Sequence, residues 1–348
     1  MSAGRIRALV RHRLFWPVVA LVGLLAANTA RTPTFLRVRL QDGHLFGALV
    51  DILRQSAPLL LVALGMTLVI ATRGIDLSVG AVIAVSGAVA LSYIASAPDP
   101  AALGTVVTAV GLALLLGLVL GVWNGFLVSV LGIQPIIATL VLMTAGRGIA
   151  MLITGGMITT VTSPPYKTLG SGFLLGLPVP VVVAGALFAV VTLLTRRTAL
   201  GMLIESVGIN PEASRLAGVR ARSITWTVYA LTGLFAAVAG LMMSADVMAA
   251  DANNVGLFIE LDAILAVVIG GTSLAGGKFS LGGTLVGVLV IKTLTISVTI
   301  LGISGSVTPL FKALVVIAVC LAQSPALRRR LAARRGTPTA PARVEVTA

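Results

Sequence analysis

The sequence predicts an all-α, polytopic membrane protein with about ten transmembrane helices, one of them short and broken. Three observations predict it. Only 10% of the 348 residues are charged, 57% are hydrophobic, and the mean hydropathy is +1.08. A soluble domain carries roughly 25% charged residues, so these charges are too few to cover a water-facing surface. Apolar runs recur at about the 20-residue length that a membrane helix needs, which leaves room for about eight to eleven spans. Lysine and arginine gather in three segments, as topology signals do.

Taken in order, the apolar segments fall near 14–30, 47–72, 79–96, 102–122, 133–154, 176–195, 224–246, 260–271, 281–301 and 307–324. Residues 1–13 carry Arg5, Arg7, Arg11 and Arg13 and form a basic, cytoplasmic N-terminus. The candidate cleavage site Ala27-Asn28-Thr29-Ala30 is a poor small-x-small match, so the first span is expected to be retained. Residues 14–324 form the transmembrane domain. Its eighth segment is too short to cross unless it continues through Gly270-Gly271, and it reads as a half-helix. Segment 196–222 holds Arg196, Arg197, Arg215, Arg220 and Arg222, and residues 325–348 hold Arg328, Arg329, Arg330, Arg334 and Arg335. Both are expected in the cytoplasm, the second as a disordered basic tail. The acidic stretch 246–260, with Asp246, Asp251 and Glu260, is expected outside. Arg31, Arg37 and Arg39 dissent from this ten-span topology, which places both termini inside.

Glycines at four-residue spacing, Gly117, Gly121 and Gly125 and again Gly283 and Gly287, predict close helix crossings. The segments 73–80 and 275–282 align weakly, each interrupting an apolar run, as pathway-forming segments of transporters do. Both fall on one side in this topology.

Several functions are excluded. The net charge of +14 sits at the ends and in one loop, which argues against nucleic-acid binding. The one cysteine, Cys320, lies in an apolar run, so neither an intrachain disulfide nor a cysteine metal cluster is possible. His12 and His44 lie outside the spans, so no imidazole relay crosses the membrane. The run from Gly270 to Phe279 fails as a phosphate-binding loop: Thr272 stands where the first glycine belongs, and Phe279 where Ser or Thr would hold magnesium. No catalytic constellation or metal-ligand spacing is present, so the chain is expected to be no enzyme and to bind no cofactor or metal of its own.

The chemistry-bearing candidates are few. In 196–222, Asn210 is a predicted N-cap, Pro211 the first helical residue, Glu212 a first-turn acid and Gly218 the stop. A short capped helix beside another short helix, 200–207, makes a stiff knob suited to passing on motion from a partner. Ionisable and amide groups at membrane depth are candidate pathway residues: Asp76 with Ser78 at a helix start, Asn124, Gln134, Arg147, Asp262 and Lys292. Amides suit neutral hydroxylated substrates, because they donate and accept without charge. Asp76 could also cap the third helix or pair with Arg73. Asp51 and Arg54 read as a local ion pair. Asp251, Asn253 and Asn254 are candidate docking residues on the outside.

From about residue 45 to 324 the chain resembles the permeases of the ribose-type branch of bacterial ATP-binding-cassette sugar importers. The matching stretches are GMTLVIATRGIDLSVGAV (65–82), IQPIIATLVLMTAGRGIA (133–150), ALGMLIESVGINPEASRLAGV (199–219) and LDAILAVVIGGTSLAGGKFSLGGTLVG (261–287). Within the family, LQDGHLFGALVDIL (40–53) and ADANNVGLFIELDAILAVVIGG (250–271) are similar to galactofuranose importer permeases. The resemblance implies a multi-pass permease subunit in a bacterial inner membrane. It also implies a cytoplasmic ATP-binding subunit that uses ATP and magnesium, a periplasmic sugar-binding protein and a second permease, a hetero-pair being favoured. The family's coupling element falls on Glu205, Gly208, Asn210, Pro211, Glu212, Ala213 and Gly218. Sugar contact by Asp76, Asn124, Asn253 and Asn254 is inferred from residue type alone. An ion-coupled secondary sugar carrier is the alternative, disfavoured by the missing proton relay.

Overall fold

The computed structural model describes residues 14–41, 43–300, 302 and 307–323. The basic N-terminus, the tail from 325 and the side chain of Cys320 lie outside the described residues. All ten apolar segments are helical: α1 (Phe15–Arg31), α2 (Ala48–Ala71), α3 (Val79–Ser96), α4 (Leu103–Ser129), α5 (Pro135–Ile153), α7 (Val179–Arg197), α10 (Ala221–Val247), α11 (Ile259–Ile269), α12 (Leu281–Ile300) and α13 (Thr308–Gln323). Three short helices lie between them: α6 (Pro164–Ser171), α8 (Leu200–Ile209) and α9 (Pro211–Leu216). Seven of the described helices, α2, α3, α4, α5, α7, α10 and α12, are long and apolar enough to cross a membrane. α11 has 11 residues and reaches about 16 Å at 1.5 Å per residue, half of a hydrocarbon layer of about 30 Å. It is a half-helix, as its length predicts.

From Leu59 on, α2 is apolar on every side and is buried on every side. Leu59, Leu61, Val62, Ala63 and Leu64 have no exposed surface, and α7, α10, α11 and α12 pack around them. The glycine seams do what their spacing predicts, within one chain. A Cβ on Gly121 would stand 2.6 Å from the Tyr229 carbonyl of α10, and one on Gly233 would strike the Gly117 carbonyl. Gly283 and Gly287 of α12 meet Gly270 and Ala266 in the same way. Such contacts replace the hydrophobic drive that lipid does not supply between helices.

Two faces can be told apart. On one, α8 meets the end of α2 and the segment 270–280, with α9 beside it: the Gly277 N–H donates to the Ala71 carbonyl at 2.9 Å. On the other lie three small antiparallel ladders: β1 (Arg39–Gln41) with β2 (His44–Phe46), β3 (Thr159–Thr160) with β6 (Ala249–Ala250), and β4 (Phe173–Leu174) with β5 (Leu177–Pro178). His44 stacks on Phe173 there, and Arg54 bonds Asp246 at 2.5 Å. Segments 73–80 and 275–282 both begin on the first face, as the sequence topology expects: Gly276 packs against Arg73, and 73–80 then runs inward to the start of α3.

A second interruption, not read from the sequence, enters from the opposite face. After α10 the chain turns at left-handed Met248 (φ 54°), pairs as β6, and folds back over 251–258. Gly256 (φ 66°) lies against Ile83 and the Gly80 carbonyl of α3. Ile83 in turn faces Gly240, seven residues or about 10 Å below the end of α10. The loop therefore dips into the protein, and the first turns of α3 and α11 meet near mid-depth. Glu260, expected in an exposed acidic loop, is instead 5% exposed in the first turn of α11.

The α4–α10 seam gives the first testable outcome. Gly121→Val should lower the melting temperature of the purified protein in detergent, at a cost of about 1–3 kcal/mol for overpacking. Gly111→Ala, on the same helix with no neighbouring element within 4 Å among the described residues, should leave it unchanged or raise it. Equal behaviour of the two variants would refute the seam.

Candidate functional site

The knob at 196–222 is built as its sequence predicts. The Asn210 side chain accepts from the N–H groups of Glu212 (3.1 Å) and Ala213 (3.0 Å), and Pro211 opens α9. Glu212 bonds Arg215 at 2.5 Å; the guanidinium holds this exposed carboxylate below its ordinary pKa, and the carboxylate raises Arg215. Gly218 sits at φ 85°. Its N–H reaches the Arg215 carbonyl, and the Val219 N–H reaches Ser214, which closes the helix with a paired left-handed cap.

α8 runs two residues further than expected, through Gly208 to Ile209, and is bolted down. Ile204 and Val207 are buried. A Cβ on Gly208 would strike the Ala71 carbonyl and come within 2.6 Å of the Gly277 nitrogen. Arg73 donates to the Ile209 carbonyl; it does not pair with Asp76, as the sequence had suggested. Glu205 lines a cleft with Arg196, Met202 and Ser280. Around this rigid base, Met202 (69%), Ile209 (58%) and Leu216 (76%) are exposed.

Inside the bundle, Asp76, Ser78 and Asn124 come together. Asp76 Oδ1 accepts from the Ser78 N–H (2.9 Å) and Oγ (2.6 Å), and Asn124 Nδ2 donates to Ser78 Oγ at 2.8 Å. Thr139 of α5 accepts from the Leu77 N–H and donates to the Ile75 carbonyl, and Tyr229 lies against Gly74. All three predicted residues are at most 1% exposed. Asp76 makes a two-residue side-chain turn ahead of α3, whose cap position is Ser78. The cluster satisfies the backbone freed where the α2–α3 chain leaves the helix, as any such break in lipid requires.

The other predicted pathway residues disperse. Gln134 is exposed at the start of α5, on the knob face. Asp262 pairs with Lys312 at 2.7 Å. Lys292 lines a cavity with Arg54, Gln55, Met242 and Asp246. Arg54 takes Asp246 as its main partner, with Asp51 at 4.0 Å, so the predicted local pair is the weaker contact. Arg147 of α5 reaches across to the dipping loop and donates to the carbonyls of Ala252 (3.0 Å) and Val255 (2.6 Å). Asp251 folds that loop, accepting from the N–H groups of Asn253 and Asn254 and from Asn254 Nδ2. Asn253 and Asn254 are exposed.

Residues 48–320 match the family described as branched-chain amino acid transport system, permease component. The chain belongs to that family. This permease is 49% identical to the galactofuranose transporter permease protein of Escherichia coli over 324 residues, covering 90% of this chain and 92% of the relative. It is 44% identical to the fructose import permease protein of Bifidobacterium longum (92% and 90% covered) and 38% to the ribose import permease protein of Haemophilus influenzae (91% and 94%). No solved structure matches it.

Seen as a permease, the chain presents two mechanical parts: a bolted knob on one face and a folded loop entering from the other. Sequence reading missed Thr139, Tyr229 and Glu260. Glu260 carried the only available signal, an acid opening an apolar run too short to span. The knob's cap can be tested directly. Asn210→Ala should cost about 1 kcal/mol of local helix stability, so amide hydrogen exchange at Glu212 and Ala213 should rise about fivefold. Asn210→Asp should restore most of the protection, and unchanged exchange in the alanine variant would show that the cap does not hold α9.

Proposed function

We propose that this chain is the membrane-spanning permease subunit of an ATP-binding-cassette importer for a monosaccharide: galactofuranose or a related pentose or hexose. The observation that carries the reading is the knob. α9 is capped at both ends, α8 is fastened through Gly208 to the end of α2 and to 270–280, and exposed Met202, Ile209 and Leu216 offer a partner a grip. A cytoplasmic ATP-binding subunit pressing there would move both interrupted segments together. That subunit, not this chain, would use ATP and magnesium. The three relatives, permeases for galactofuranose, fructose and ribose, support a sugar as substrate.

In this reading the knob face is cytoplasmic, all ten helical segments count as crossings with α11 completing its own through the 251–258 dip, and both termini lie inside. The basic residues at 196–222 and in both terminal segments support that orientation. The membrane is a bacterial inner membrane. The face from which the 251–258 loop enters, where Asp251 and Asn254 lie, would receive a periplasmic sugar-binding protein. A second permease completes the pathway, and a hetero-pair is favoured by the likeness to the galactofuranose system.

The test is uptake of labelled D-galactose, D-fructose and D-ribose into proteoliposomes holding the chain with the ATP-binding subunit, second permease and binding protein from its own gene neighbourhood. Uptake is expected only with the complete set and ATP at the knob side. Uptake by the chain alone on an ion gradient would replace this reading with a secondary carrier.

A further inference from the structure

The dipping loop leaves one cavity that the fold itself does not need. It measures about 380 Å³ and is lined by Met143, Thr144 and Arg147 of α5, Asn253 and Phe258 of the loop, and Glu260 of α11. It lies where the first turns of α3 and α11 meet: a Cβ on Gly80 would stand 2.6 Å from Glu260 Oε2 and 3.5 Å from Arg147 Nη2. By the position of Ile83 against Gly240 this is near mid-depth. It opens on the exposed face of α5, which includes Val141 and Leu140.

Three independent features mark it as a site. Glu260 is 5% exposed and lines the cavity; its carboxylate accepts from its own backbone N–H and faces the Arg147 charge, and among the described residues no other side chain hydrogen-bonds to it. A buried carboxylate costs several kcal/mol unless something compensates it, and the remaining acceptor capacity of this one is turned to the cavity. Arg147 spends Nη1 on the Ala252 and Val255 carbonyls, which fixes the guanidinium plane and leaves its other edge toward Glu260 and the cavity. Phe258 is 57% exposed and left-handed at φ 61°. That conformation is a genuine outlier for a bulky residue, and such strain gathers at functional sites.

The chemistry selects the ligand. Guanidinium and carboxylate together carry no net charge, so neither an anion nor a cation is favoured. They supply a planar row of donors beside a pair of acceptors, and the Asn253 amide, with no hydrogen bond of its own among the described residues, adds one of each. A ring bearing vicinal hydroxyls, each both donor and acceptor, satisfies this set, and the Phe258 ring offers a flat apolar surface to the ring's C–H face. Resting on the importer reading above, we propose that Arg147, Glu260, Asn253 and Phe258 form a mid-membrane binding site for an uncharged monosaccharide. The sugar would reach it along the exposed face of α5. A half-buried arginine on that face points to water or a partner chain and not to lipid.

The site is tested in the complete reconstituted importer, with Cys320→Ser as background, using D-galactose, D-fructose and D-ribose as probes. Thr144→Cys should react with a charged, water-soluble methanethiosulfonate, and the transported sugar should slow that reaction at least fivefold while the other two do not. Glu260→Gln should lower uptake more than tenfold at wild-type yield of assembled complex, and Phe258→Tyr should retain more uptake than Phe258→Ala. A cysteine at 144 that does not react, or reacts at a rate no sugar alters, overturns the site, as does Glu260→Gln uptake within twofold of wild type. Poor assembly of Glu260→Gln would assign that residue a structural role and overturn its part in binding, leaving the labelling arm to decide the cavity. Absence of ATP-driven uptake of any probe by the wild-type complex would instead overturn the importer reading, and this site with it.

Discussion

A polypeptide that leaves the helix inside a membrane must find new partners for every N–H and C=O it frees, because lipid offers none. The rest of this permease is arranged around meeting that demand three times. At 72–78, Thr139 serves both the Ile75 carbonyl and the Leu77 N–H, while Asp76 and Ser78 turn the chain into α3. At 251–258, Asp251 holds two loop N–H groups and Arg147 two carbonyls. At 270–280, the Thr272 hydroxyl accepts from Ser280 N–H, the Ser280 hydroxyl from Gly283 N–H, and the Ala71 carbonyl from Gly277 N–H. Each break is thus tied to a helix other than its own neighbours, so none can shift without carrying another element along.

The glycines turn those ties into mechanics. Gly208 lets α8 touch the backbone at Ala71 and Gly277 at once. One residue of the knob therefore contacts the ends of two interrupted segments with no side chain between them. Backbone-to-backbone contact has little give, since packed protein has few voids to absorb displacement. A displacement of α9 is passed on to α2 and 270–280 rather than dissipated in rotamer changes. On the far face, Gly256 brings the dipping loop against Gly80 and Ile83, so α3 is held from both of its neighbouring breaks.

What was legible in the sequence was local or periodic. The ten apolar runs, the Asn210–Gly218 punctuation and the glycine seam of α4 are written in consecutive residues and carry their physics with them. The charged groups were harder. Asp51 and Arg54 are three residues apart, yet Arg54 takes Asp246, 192 residues away. Arg73 stands beside Asp76 and bonds Ile209 instead. Glu260 looked like an outside charge because Asp246 and Asp251 precede it; only the fold, by dipping the loop, buries it beside Arg147. An ion's partner inside a membrane protein is decided by which helices meet, and spacing along one helix says little about that.

The distribution of charge also argues that one chain is an unfinished object. Asp262 and Lys312 pair at 2.7 Å with less than a fifth of either side chain exposed, so their charges are internal to the subunit and need nothing further. Arg147 and Glu260 are different. They sit against each other's field without a direct bond between them among the described residues, and the cavity they line opens sideways on α5, where Thr144 and Gly148 present small groups and, among the described residues, no neighbouring element lies within 4 Å of a Cβ built on Gly148. A face that places an arginine near mid-depth behind small residues is poorly matched to lipid tails and well matched to a second helix bundle enclosing water. In the proposed importer, the half-helix α11, the dip that produces it and the open side of α5 would belong to one design, in which the second permease closes over this face and completes the pathway.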